Sequence, residues 1–444
     1  MKKNILILLL SFVTLLSYGQ DSAKYVGWSV KIFDQLRSND YQKVVEQIDT
    51  SGRQSNLDSA RLGTAWRNLL KRAGKIKAME DTIYTHQPTY DIVVLRVQFE
   101  EKKMDIKTIF SAKGTLKGIF FLPADTREKY INPPYYHPES FEEVNTEVVN
   151  GKYRLKAILT IPKMQGKHPV IILVHGSGPN DKDESVGATK IFRDMAVGIA
   201  AQGIAVLRYE KRTRAYAAEM RHKKAIITPE EETIADAVAA IECVKSDPRL
   251  DTNRIYFAGH SMGAYLLPKI ASRSSKVKGL IMLSPQARPL EDMLVEQANF
   301  VIGLDPTKSA DKKHLSDSLQ LAAQKVKSLK ASDKTDSVKI MGLAPAYWIY
   351  LNEYDAFTHA SNAKIPMLFI YGGRDYQISS KDEDIWKSKM KTTKQATFKR
   401  YSDLNHFYIK GKGKSTPEEY IHSGNVDESV IRDISSWMNA DTVK

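Results

Sequence analysis

Only one of the 444 residues is a cysteine, Cys243. A single thiol excludes an intramolecular disulfide and a zinc site built from several thiolates. Cys243 lies in the apolar helical pattern AVAAIECVK, which reads as a small hydrophobe in a core and not as a nucleophile. Long apolar runs are scarce too. The one candidate opens the chain, MKKNILILLLSFVTLLSYGQ, and its stretch from Ile5 to Leu16 falls short of the ~20 residues that a bilayer-spanning helix needs. With Lys2 and Lys3 before it and Ser17 and Gly19 after it, residues 1–19 read as a secretory signal cleaved before Gln20. The expected location is therefore outside the cytoplasm, periplasmic or secreted. No cysteine follows to carry a lipid, and no later segment is apolar enough to cross a membrane, so no stable membrane insertion is expected after cleavage.

Charge of one sign is not concentrated anywhere. The formal charge is +14, but Lys and Arg are scattered, without a basic stripe or interleaved aromatics. That is a solvated basic surface, and no nucleic-acid partner is expected. No His, Asp and Glu cluster has ligand spacing, so no metal is expected. Nothing in the pattern points to an oligomeric state.

What the chain does have is ordinary globular material: 42% hydrophobic and 27% charged residues. Residues 20–123 start with apolar positions at helical spacing, Tyr25, Trp28, Ile32, Phe33 and Leu36. Further helices are expected over Tyr41 to Ile48 and Ala60 to Ala73. Four strand-like segments follow, in KIKAMEDTIYTHQ, YDIVVLRVQFE, KMDIKTIFSA and LKGIFFLP. Helices followed by consecutive strands indicate a small α+β domain. Ala65-Trp66, Gly74, Tyr90-Asp91-Ile92-Val93-Val94 and Gly118-Ile119-Phe120-Phe121 resemble a domain of uncharacterised function that often precedes bacterial α/β-hydrolases. The resemblance implies a cystatin-like or nuclear-transport-factor-like sheet wrapped on helices. It offers no catalytic constellation; His86 is isolated and reads as a surface residue.

Residues 124–138, rich in Pro and Tyr, read as a linker. From 139 to 444 the pattern is α/β. An alternating strand from Tyr153 to Ile161 precedes the continuous apolar runs VIILVHG, IAVLRY, RIYFAGH, GLIMLS and MLFIYGG, most of them separated by amphipathic helices. Such runs are parallel strands buried on both faces. Residues 287–362 interrupt the rhythm and are expected to form a lid, with apolar ends over the site and a Lys-rich arm in solvent. Trp348 is expected to line the pocket beneath the lid, with burial in the core of the domain as the alternative.

Gly259-His260-Ser261-Met262-Gly263 falls between a strand and a helix. There it reads as a nucleophile elbow, with glycines where side chains would collide with the neighbouring strand and helix. Downstream, Asp375 follows the strand MLFIYGG, and His406 lies in the loop SDLNHFY. Ser261, Asp375 and His406 supply nucleophile, orienting acid and base in the chain order this fold uses. Asp403 is the rival acid and His422 the rival base. Oxyanion donors are expected from the backbone N–H groups of Met262 and Ser177, with Gly176 the alternative to Ser177. His175 is expected to be structural.

HGSGPNDKDE, LRYEKR, GHSMGAYLLPKIA, GRDYQI and DLNH together resemble the bacterial α/β-hydrolases grouped with dienelactone hydrolases and serine-aminopeptidase-like enzymes. The resemblance implies an α/β-hydrolase fold and cofactor-free acyl hydrolysis. The expected activity is cleavage of a small-molecule carboxylic ester through an acyl-enzyme. The alternatives are a peptidase, a thioesterase, or an inert binding module. Export disfavours cytosolic coenzyme A thioesters, and the small N-terminal domain cannot be a peptidase propeller.

Overall fold

A computed structural model describes residues 23–49, 57–87, 89–111, 113–124, 128–222, 226–304, 309–334 and 338–440. The expected leader lies outside the described residues. Among those residues, no helix is long and apolar enough to cross a membrane. The chain divides into two compact units, Met1–Thr126 and Arg127–Lys444.

In the first unit, helices over 23–37, Tyr41–Val45 and Ser59–Ala73 precede the strands β1 (Ile76–Gln87), β2 (Tyr90–Phe99), β3 (Lys103–Ser111) and β4 (Leu116–Pro123). The strands pair antiparallel in chain order. Strict alternation explains the packing: Val93, Leu95, Val97 and Phe99 on β2 all point into one core, with Trp66 and Phe33 from the helices. Asp58 caps the third helix by accepting from Arg61 N–H at 2.8 Å. His86 is not isolated; its Nδ1 lies 2.8 Å from Asp91 Oδ1.

The second unit is an eight-stranded sheet. Its strands are β5 (Phe141–Asn150), β6 (Tyr153–Pro162), β7 (His168–Val174), β8 (Ala205–Tyr209), β9 (Leu250–His260), β10 (Val277–Leu283), β11 (Met367–Gly372) and β12 (Ala396–Tyr401). They are ordered β12-β11-β10-β9-β7-β8-β6-β5. The first six are parallel, whereas β6 runs antiparallel to both β8 and β5. β7 shows why these strands carry no polar face. Val170, Ile172 and Val174 pack into one layer, and Ile171 and Leu173 into the opposite one. The helices Ala235–Lys245 and Met262–Ala271 cover the first layer; Ile191–Ala200 and Glu428–Ala440 cover the second.

Within the segment expected as a linker, two tyrosines are anchored to the second unit, although most of its described residues are exposed. Tyr130 donates to Asp194 Oδ1 and Tyr135 to the Val426 carbonyl, each at 2.6 Å. Tyrosine rings bury area while their hydroxyls find acceptors, which a Gly/Ser connector does not do. Between β10 and β11 run the helices Leu290–Leu304, Ser309–Lys327, Pro345–Glu353 and Ala356–Ala363. Their root is pinned by Asp382, which accepts from the N–H groups of Ala287 and Arg288 at 3.0 and 3.1 Å.

Candidate active site

Ser261 stands between β9 and the helix Met262–Ala271 with φ 52° and ψ −117°, a conformation that non-glycine residues rarely adopt. Neighbouring backbone imposes it. A Cβ on Gly259 would come within 2.6 Å of Ala264 N, and one on Gly263 within 2.3 Å of the Val174 carbonyl. The turn is closed from both sides, and Ser261 N–H donates to the Leu283 carbonyl of β10 at 2.8 Å. Strain of this kind costs on the order of 1–3 kcal/mol and persists where surrounding structure enforces it. The N–H of Met262 lies in the first helical turn, where it has no intrahelical acceptor.

Asp375 and His406 come together across 31 residues. Asp375 Oδ2 lies 2.6 Å from His406 Nδ1. Its other oxygen, Oδ1, accepts from the N–H groups of Gln377 and Ile378 at 2.7 and 3.0 Å. The carboxylate is thus fixed and can only accept, so Nδ1 carries the hydrogen and Nε2 is left as the basic nitrogen. The loop around His406 is equally fixed: Asn405 Oδ1 accepts from Phe407 and Ile409 N–H, both at 3.0 Å. The rivals are elsewhere. Asp403 is half-exposed beside Lys410, and His422 is exposed beside Glu128.

A buried pair that the sequence reading did not single out ties the base loop to the elbow. His260, next to Ser261, places Nε2 3.1 Å from the His406 carbonyl and Nδ1 3.3 Å from Glu184 Oε1. Burial opposes charge on His260, but the Glu184 carboxylate, the His406 carbonyl and the Asp375 charge together outweigh it and raise the pKa. Burial also opposes ionisation of Glu184, yet His260, His175 and the Gly176 N–H leave its pKa lowered. Glu184 Oε1 accepts from Gly176 N–H at 2.7 Å. That N–H is therefore engaged within its own loop. His175 is buried beneath this loop, with Nε2 3.0 Å from the Asp181 carbonyl and its ring against Phe192 and Tyr209. Burial pushes its pKa down to about 4, so it is neutral.

Ser177 and Met262 open onto a cavity of about 680 Å³. Its wall is mainly apolar, with Met220 and Ile227 from the segment that follows β8 and Leu290, Leu294, Met341 and Tyr347 from the insertion. Trp348, expected in this wall, is not there. It is buried on the same helix and donates from Nε1 to the Ile340 carbonyl at 2.8 Å. Adjacent helical residues point about 100° apart, so a helix that sends Tyr347 to the cavity sends Trp348 elsewhere. Two charged wall-side groups were also missed. Glu232 lines the cavity from the π-helical turn Glu230–Ile234, and the buried Lys211 pairs with it at 2.8 Å. The one available signal was Lys211's place just after a buried parallel strand, the sheet edge where sites form. Cys243 is half-buried, and burial raises its thiol pKa, as befits a packed residue.

This strand–elbow–helix site, at the C-terminal edge of a mostly parallel sheet, defines an α/β-hydrolase, and residues 166–411 match the family described as serine aminopeptidase, S33. The chain belongs to that family. It is 37% identical over 377 residues to Esterase EstD of Thermotoga maritima, spanning 85% of this chain and 86% of that protein. Residues 29–119 match a family of unknown function, DUF3887. Similar solved structures include Est1E from Butyrivibrio proteoclasticus (17% identity, TM-score 0.44, 68% of this chain and 99% of that one). Another is a dienelactone hydrolase from Anabaena variabilis (14% identity, TM-score 0.41, 68% and 98%).

Proposed function

We propose that the protein is an exported serine esterase acting on small carboxylic esters with an apolar acyl group. The observation that carries the reading is the 2.6 Å Asp375–His406 hydrogen bond beside a serine held at φ 52° on the elbow. Ser261 Oγ attacks the ester carbonyl carbon as His406 Nε2 takes its proton. The carbonyl π pair becomes an oxyanion facing the N–H groups of Met262 and Ser177. His406 returns the proton to the departing alkoxide, and the alcohol leaves an acyl-serine. Water, deprotonated by His406, then releases the acid. Asp375 keeps Nδ1 protonated and stabilises the imidazolium.

The family description also raises an aminopeptidase, which needs a carboxylate to receive a substrate ammonium group. Among the described residues lining the cavity, Glu232 is the sole carboxylate. Both of its oxygens are engaged, one by Lys211 at 2.8 Å and one by the Tyr347 hydroxyl at 2.5 Å. The relative's name, esterase, agrees with the ester reading.

Ser261→Ala is expected to abolish hydrolysis of aryl esters and labelling by a fluorophosphonate, with losses on the order of 10³-fold or more. Activity within tenfold of the parent would remove the assignment, and faster turnover of aminoacyl amides than of esters would favour the peptidase. Export rests on residues 1–19; the mature protein recovered from the periplasm or medium is expected to begin at Gln20. Recovery of the full-length chain from the cytoplasm alone would contradict it.

A further inference from the structure

Lys211 lies two residues beyond the end of β8 and is 2% exposed. Its ammonium group donates to the Gly176 carbonyl at 2.7 Å and pairs with Glu232 Oε1 at 2.8 Å. Glu232 Oε2 accepts from the Tyr347 hydroxyl at 2.5 Å, and Tyr347 belongs to the insertion. A continuous chain of contacts therefore runs from the insertion to one peptide unit of the loop after β7.

That peptide unit matters because the Gly176 carbonyl and the Ser177 N–H are its two ends. A trans peptide is planar and sets these groups on opposite sides, so fixing the direction of one fixes the other. Asn180 Nδ2 donates to the same carbonyl at 3.2 Å, and Glu184 holds the preceding N–H. An ammonium group at the carbonyl also polarises the amide and makes its N–H a stronger donor. Stability gives little reason for such a pair. Burying two charges is costly, and an apolar pair of similar volume often holds a fold as well.

We infer that Lys211 is a positioning residue for the oxyanion site. Held by Glu232 and Tyr347, it aims and polarises the Gly176–Ser177 peptide, and it makes the insertion part of that alignment. The inference rests on the reading of Ser177 as an oxyanion donor.

The test compares Lys211→Met and Tyr347→Phe with the parent in the full-length protein. The readouts are kcat and KM on an aryl ester, and the affinity for two inhibitors. One is a trifluoromethyl ketone, to which Ser261 Oγ adds, leaving an oxyanion in the hole and the proton on His406. The other is the matching alcohol, which has no carbonyl and forms no oxyanion. Lys211→Met is expected to lower kcat by about 10²-fold, approaching the loss of a full oxyanion donor. Ketone affinity should fall in parallel, with KM and alcohol affinity held within about threefold. Tyr347→Phe should shift kcat and ketone affinity in the same direction by about threefold to tenfold. The double variant should be no worse than Lys211→Met, because both act through one chain.

Unchanged ketone affinity in folded Lys211→Met would overturn the inference. So would an equal fall in ketone and alcohol affinity, the mark of a general structural role. If Lys211→Met does not fold, Tyr347→Phe decides, since it removes one hydroxyl; unchanged ketone affinity there overturns the inference. Ser261→Ala separates the two levels. If it keeps hydrolysis, the esterase mechanism fails. If it is inactive while the Lys211 and Tyr347 variants behave as the parent, only the positioning role fails.

Discussion

Trp348→Ala tests how the insertion divides its work between fold and pocket. The side chain is 0% exposed, packs in the hydrolase core and is absent from the cavity wall, whereas its neighbour Tyr347 is in that wall. An indole buries about 200–250 Å². At roughly 25 cal/mol per Å², that is a gross term near 5–6 kcal/mol. Alanine recovers part of it and the surroundings relax in part, so the net cost is about 3–5 kcal/mol. The lost hydrogen bond adds little. The Ile340 carbonyl keeps the Leu343 N–H at 3.0 Å and is not left without a donor. For a unit of more than 250 residues, each kcal/mol moves Tm by roughly 2 °C, which gives an expected drop of about 6–10 °C. Thermal melting and a panel of aryl esters of graded acyl length read the two consequences separately. The order of rates across the panel should stay as in the parent. Leu294→Ala is the counterpart, because Leu294 lines the cavity and is half-buried. It should reorder the panel while shifting Tm far less. A Trp348→Ala protein that reorders the panel with Tm lowered by less than about 2 °C would refute the reasoning.

Asp375→Asn cannot hold the imidazolium and disturbs its tautomer, so kcat is expected to fall by about 10⁴-fold. Asp403→Asn removes a half-exposed carboxylate paired with Lys410 and should leave kcat within about twofold; the reverse ranking would mean that the acid is misassigned. A third expectation concerns acid. His175 has its pKa depressed from an ordinary 6.5 to about 4 by burial, so the unfolded chain takes up a proton that the folded one refuses. Stability from this group is therefore complete above pH 6.5 and lost as pH falls towards 4, by up to roughly 3 kcal/mol. Urea unfolding of His175→Gln should show a shallower decline over that window than the parent; equal slopes would contradict the neutral buried imidazole.

The parts of the site that could be read from sequence are those whose chemistry is bound to local backbone. Ser261 needs Gly259 and Gly263 within two positions, because the collisions they avoid lie at the turn itself. Asp375 and His406 each follow a strand of the parallel sheet, and strand runs such as MLFIYGG announce themselves by being apolar on both faces. The eight-strand order and the antiparallel β5 were less visible. β5 reads FEEVNTEVVN, with only Phe141 and Val148 buried, so its periodicity is weak and its place is set by pairing with β6.

The supporting groups obey a different logic. Glu184 acts on Gly176 eight positions away and on His260 across 76, Lys211 acts on Gly176 across 35, and Tyr347 acts on Glu232 across 115. In sequence these are charges within DKDES, YEKR and PEEET, indistinguishable from solvated loop residues. Burial separates them, and burial is a property of the assembled sheet and insertion. The Trp348–Tyr347 exchange has the same origin. PAYWIYLNE specifies a helix, but its apolar residues are spread around the axis, so the pattern does not set which face meets the cavity. The rotation is fixed by partners outside the helix: Tyr347 on Glu232 and Tyr350 on Glu230, both distant in sequence, and Trp348 on the nearby Ile340 carbonyl. The two glutamates sit on one π-helical turn, where the extra residue re-aims side chains relative to a regular helix. That turn thus contacts the insertion helix and Lys211 at once, which is why the pocket wall and the loop after β7 are expected to respond together when either is changed.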